Sequence, residues 1–196
     1  MRFSAPCSNR SVLLAAALLT SACGLLPRRG LEPASPTTAP SVAGEPGALT
    51  DANIAAIVLA ANNADILYGT LASAKSPNAE VRKFAETTVR DHRAVNQAAT
   101  DLAARLRLTP VDNSASLDLR DNAEDKRGQL RELEGRAFDT AYLENEIVYH
   151  TKLLATIDGA LVPSARNADL KALLVSVRPA VAAHLDHARM LQASAR

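Results

Sequence analysis

From Leu49 onward, apolar residues recur in steps of three and four, the period of helices that bury one face. The first stretch, LTDANIAAIVLAANNADILYGTLASAK, puts Ile54, Val58, Ala61, Asp65, Tyr68 and Ala72 on one stripe, with Thr50 and Asp51 as candidate caps. KSPN interrupts it, and Ser76 with Pro77 reads as the N-cap and first turn of a second helix. That helix runs to about Leu106 on the stripe Val81, Ala85, Thr88, His92, Val95, Ala99, Leu102 and Leu106. Residues 107–135 are mostly polar and lack a clean stripe, so they read as a long connection with a short surface helix from about Ser116. A third long helix from about Arg136 has the seam Leu143, Ile147, His150, Leu154, Ile157 and Leu161. VPSARN supplies a turn, and Asn167 caps a fourth helix facing inward at Leu170, Leu174, Val177, Val181, His184, Ala188 and Leu191. Pro179 inside this last helix predicts a kink or break.

Two hairpins with short turns, joined by a connection long enough to cross a bundle, predict an all-α, ferritin-like four-helix bundle over residues 49–196. No alternating Val, Ile and Thr pattern competes with it. Ahead of the bundle the pattern differs. Residues 11–20, SVLLAAALLT, are apolar but too short to span a membrane as an ordinary helix. They follow Arg2 and Arg10 and end in small residues, the layout of a secretory signal. The ending LLTSACG resembles a bacterial lipobox, with Thr20 where Leu is commonest. It predicts a signal peptide over residues 1–22 and lipidation of Cys23; the alternative is an ordinary signal cleaved near Ala22. Residues 23–48 are dense in Pro, Gly, Ser, Thr and Ala and read as an extended tether. Gly24 after the cysteine gives no signal for inner-membrane retention, so the expected location is the periplasmic side of the outer membrane, with the lipid as membrane partner.

Composition narrows the function. The net charge is +1, and losing Arg2 and Arg10 leaves 20 Lys and Arg against 21 Asp and Glu, a charge of −1. Aromatic residues make up 3% of the chain, so neither a basic field nor base-stacking side chains favour nucleic acid. The two cysteines, Cys7 and Cys23, both precede the bundle, which therefore has neither a disulfide nor a thiolate metal site. There is no Gly-rich phosphate loop and no nucleophile elbow. No catalytic residue is identified.

One constellation remains. Three of the four histidines, His92, His150 and His184, fall on predicted seams, one per helix, and the remaining helix carries Asp65 on its own seam. One metal-capable side chain per helix is what an interior site for a transition-metal ion needs. Depth tests this. At 1.5 Å per residue from a hinge near residue 76, Asp65 lies ~16 Å away and His92 ~24 Å; from a hinge near residue 164, His150 lies ~21 Å and His184 ~30 Å away. These counts offset each pair by roughly 8 to 9 Å, which allows a shared layer without demanding one. The competing reading has each histidine satisfied in the core by a neighbour: Glu146 one turn before His150, Asp91 beside His92, or Tyr68 or Tyr149. His187 is expected to face solvent with Asp186 and Arg189. A ferritin-type di-iron centre fails, because it needs two Glu-x-x-His motifs and the nearest match is Glu146-x-x-x-His150.

FAETTVRDHRAVNQAATDLA, FDTAYLENEIVYHTKLLATID and VRPAVAAHLDHARML, in that order after LTDANIAA, resemble the ferritin-like bacterial family catalogued as domain of unknown function 4142. The resemblance covers about residues 49–193 and rests on Asp91-His92, on Phe138, Asp139 and Tyr142 ahead of His150, and on Pro179 with His184-Leu185. It implies an exported protein or lipoprotein with a four-helix bundle and no agreed activity. Similar proteins often carry Glu where this chain has Asp65, a carboxylate shorter by one methylene. Two functions are thus expected: a non-catalytic binding or envelope-stress protein on a membrane tether, and, as the alternative, a metal-binding or redox bundle. The oligomeric state and any protein or small-molecule partner stay open.

Overall fold

The computed structural model describes residues 48–194. The expected signal peptide, Cys23 and the tether up to residue 47 lie outside the described residues. Those described form an all-α bundle with no strand among them: α1 (Asp51–Lys75), α2 (Ala79–Leu106), α3 (Ser114–Arg131), α4 (Gly135–Thr156) and α5 (Ala168–Ser194). After α4 the chain widens into one π turn, Ile157–Leu161, then a short helical turn, Val162–Ser164.

Helix α1 is the centre of the bundle. Thr50 caps it: the Asn53 backbone N–H donates to Thr50 Oγ1 at 3.1 Å, and the Asn53 side chain reaches back to the Thr50 N–H. Its single predicted stripe understates its burial. Ala55, Ala56, Ala60 and Ala64 are buried as well, because α3 packs along the side that α2 leaves open. A helix apolar on nearly all sides has to be covered on nearly all sides. Alone, α1 is long and apolar enough to cross a membrane, but 67% of its most apolar window is buried in the bundle.

Three local readings change. Ser76 ends α1, and Asn78, not Ser76, caps α2 by accepting the Glu80 N–H at 2.9 Å. The polar connection holds the full helix α3, capped by Asn113 and pinned to α1 through the buried residues Ser116, Ala123 and Leu130. Pro179 does not break α5. Pro179 and Val175, one turn earlier, both lie on the solvent side, so the carbonyl that proline cannot bond faces water.

Side chains at both ends of α1 set the depth of the helices. The Ser76 hydroxyl donates to Asp139 Oδ1 at 2.5 Å, tying the end of α1 to the start of α4. At the other end, Asp51 accepts the backbone N–H groups of Arg166 and Asn167 at 2.9 and 3.1 Å, which fixes the turn into α5. Asn167 also accepts from Asp169 and Leu170, so it caps α5 as expected.

Helices α1 and α2 touch most closely at Gly69. A Cβ there would meet Val89 Cγ2 at 2.7 Å and the Ala85 carbonyl oxygen at 3.1 Å, whereas a Cβ at Gly128 in α3 meets nothing within 4 Å. Gly→Ala inside an exposed helix gains about 1 kcal/mol, and overpacking costs about 1–3 kcal/mol. Gly128→Ala will therefore raise the urea midpoint and Gly69→Ala will lower it. Equal shifts in both variants would contradict this packing.

Candidate metal centre

Asp65 from α1, His92 from α2, His150 from α4 and His184 from α5 meet inside the bundle, all four buried. One ligand atom from each lies within 4.8 Å of the others. The three imidazoles form a near-equilateral triangle, with ring centroids 5.8 Å apart for His92–His150 and 5.4 Å for each pair involving His184. The depth offset expected from the sequence disappears. Asp65 precedes Ser76 by the same number of helical steps as His150 follows Asp139, so the Ser76–Asp139 hydrogen bond puts both at one level. His150 and His184 are equidistant along the chain from Asn167, the true pivot between α4 and α5. Asp65 and His92 are likewise almost equidistant from Asn78, the cap of α2. The expected offset came from placing the hinges near residues 76 and 164 instead of at Asn78 and Asn167.

Hydrogen bonds around the rings decide what each offers to the centre. His92 Nδ1 lies 2.7 Å from Asn62 Oδ1, His150 Nδ1 2.9 Å from the Glu146 backbone carbonyl, and His184 Nε2 3.1 Å from Asp91 Oδ2. Each of these oxygens accepts, so each of these nitrogens carries the proton and donates. In a neutral imidazole the opposite nitrogen then presents a lone pair. Those nitrogens, His92 Nε2, His150 Nε2 and His184 Nδ1, are buried and without a hydrogen-bond partner, as are both oxygens of Asp65. His92 Nε2 lies 2.5 Å and His150 Nε2 3.4 Å from Asp65 Oδ2, ion-pair distances for any ring that is protonated. Acceptors facing acceptors this closely need a cation or an extra proton between them.

Charge follows the same logic. Burial pushes the Asp65 carboxyl up, but the adjoining His92 and His150 imidazoles outweigh it and hold it well below the usual carboxylate range. Burial pulls His150 down, and Asp65 more than reverses that, so its net shift is upward. His184 is shifted down by burial and by the neighbouring His150 and His92 rings, against the opposing bond from Asp91. Asp91, 33% exposed in its side chain, is also shifted down: the bond from His184 and the Arg90 guanidinium outweigh its burial.

Beside the triangle sits Glu146, fully buried, with neither carboxyl oxygen in a hydrogen bond. Burial and the neighbouring Asp65 push its carboxyl well above the usual range. Tyr149, whose hydroxyl donates to the Ala61 carbonyl at 2.6 Å, closes this side by packing edge-on to His150.

Three nitrogens and one carboxylate oxygen, without thiolate, suit a divalent first-row transition metal better than calcium or magnesium. Bonds of 2.0–2.2 Å separate the ligand atoms of a tetrahedral shell by about 3.3–3.6 Å, so a pair at the 4.8 Å limit closes by about 1.2–1.5 Å. Sequence periodicity picked all four members. It offered Asp91 as one possible neighbour for His92, whereas the structure gives it to His184. It missed Asn62, whose signal was an amide one turn before Asp65 on the same face of an Ala-rich helix. His187 is half-buried against Phe84, with centroids 5.1 Å apart, and stands outside the cluster.

No curated protein and no solved structure matches the chain. A family model described as Domain of unknown function (DUF4142) matches residues 36–191, which carry all four clustered residues together with Asn62, Asp91 and Glu146. The chain therefore belongs to the DUF4142 family.

Proposed function

We propose that this domain is a metal-holding module: a ferritin-like four-helix arrangement of α1, α2, α4 and α5, with α3 as the crossover, that keeps one divalent transition-metal ion on Asp65, His92, His150 and His184. The observation that carries the reading is the convergence of one carboxylate and three imidazoles, all buried, whose inward-facing oxygens and nitrogens find no partner outside the cluster. Each imidazole is turned by a separate partner, Asn62, the Glu146 carbonyl or Asp91, the arrangement that metal-bound histidines use to fix ring and tautomer. The proposed location is the periplasmic side of the outer membrane, through lipidated Cys23 and the Pro-rich tether, on the strength of the LLTSACG motif. In this reading the protein binds and holds, and no substrate reaction is assigned to it.

Elemental analysis of protein purified without chelator tests it. About one equivalent of metal is expected, falling below about one tenth in His150→Ala, since three ligands bind far more weakly than four. Metal-free wild-type protein that takes up none of the first-row divalent ions on titration would overturn the reading.

A further inference from the structure

A cavity of about 40 Å³ abuts the cluster on one side only. Its wall includes His92 and His184 with their partners Asn62 and Asp91, but neither Asp65 nor His150. The rest is aliphatic, with Ile157, Leu161, Leu174 and Val181 prominent. Ile157 and Leu161 are the first and last residues of the π turn, and such turns interrupt helices mostly where function requires a local change of shape. A site this apolar repels ions and does not hold water well, while its size admits one small molecule.

We propose that this pocket delivers an uncharged diatomic molecule, of the size and polarity of dioxygen or nitric oxide, to an open coordination position on the edge between His92 and His184. The inference rests on the metal reading above. Geometry selects that edge: these are the two ligands the pocket touches, whereas Asp65 and His150 are closed off by Glu146, Tyr149 and the core. A charged or strongly hydrogen-bonding ligand is disfavoured, because the aliphatic wall gives it nothing to replace its water. Binding adds one coordinate bond from the diatomic to the metal, with no atom lost and no external reductant.

Nitric oxide on the Fe(II)-loaded full-length protein under anaerobic conditions is the probe, read by electron paramagnetic resonance with iron measured on the same sample. Wild type is expected to give a half-integer-spin iron–nitrosyl signal with about one adduct per iron. Val181→Phe, which fills the pocket, and Ala180→Phe, which covers its exposed rim, are expected to keep their iron and bind nitric oxide at least tenfold more weakly. Ala180 is on the surface, so that variant keeps the test valid if Val181→Phe misfolds. Iron present without an adduct, or equal adduct formation in wild type and Ala180→Phe, overturns the pocket inference alone. Absence of iron from the wild type overturns the metal reading, and this one with it.

Discussion

Zinc added to chelator-stripped protein at a free concentration of about 100 Kd will stabilise the domain by about 2.7 kcal/mol. For a chain of this size that is a rise in Tm of roughly 5–11 °C. Asp65→Asn will abolish the rise. Asp65 is the one anion among the four converging groups, and the asparagine side chain has the same shape without the charge. Its amide can also donate to the lone pair of His92 Nε2, so the variant keeps its helices. Differential scanning calorimetry with and without zinc measures the increment, and circular dichroism confirms the fold. The competing explanation is a buried imidazolium–carboxylate pair between Asp65 and His92 or His150. On that view Asp65→Asn loses about 3–5 kcal/mol whether or not zinc is present, and zinc leaves both proteins unchanged. The two outcomes differ in whether zinc stabilises the wild type and in what Asp65→Asn costs without zinc.

The four members of this centre were legible in the chain because a histidine or an aspartate on an aliphatic seam breaks a strict pattern. Their common depth was not. It depends on where each hairpin pivots, and the pivots are set by contacts between residues far apart in sequence: Ser76 with Asp139, and Asp51 with Arg166 and Asn167. Periodicity sees neither bond. Helix α3 escaped for a different reason. Only Ser116, Ala123 and Leu130 of its 18 residues are buried, too few for a visible stripe. Pro179 misled in the opposite direction, since a proline whose lost bond falls on the wet side of a helix costs too little to break it. The π turn left no local signal that sequence reading could use.

The Glu146 carboxyl gives the second large effect, through pH. In metal-free protein, stability will fall as pH rises through the window above the ordinary carboxylate range, and Glu146→Gln will flatten that slope. Glu146 is shifted well above its ordinary value by burial and by Asp65, so the native protein keeps a proton that the unfolded chain has released. The native state binds more protons, and stability therefore declines with rising pH until the raised value is passed. His150, also shifted upward, acts in the same direction above about 6.5. His184 is shifted downward, so it opposes Glu146 only below about 6.5, where the unfolded chain takes up a proton the native ring refuses. Asp65 and Asp91 are shifted down and titrate below the window. Tyr68, Tyr142 and Tyr149, shifted up by burial and by Asp65 and Glu146, stay neutral across it. Glutamine copies the shape and the donor of the neutral acid but has no proton to lose. The variant should thus gain stability on the wild type as pH rises, measured as the difference between urea unfolding free energies at pH 6.5 and 8. Parallel profiles for the two proteins would mean that Glu146 is already ionised in the folded state, which is incompatible with a dry carboxyl packed beside Asp65.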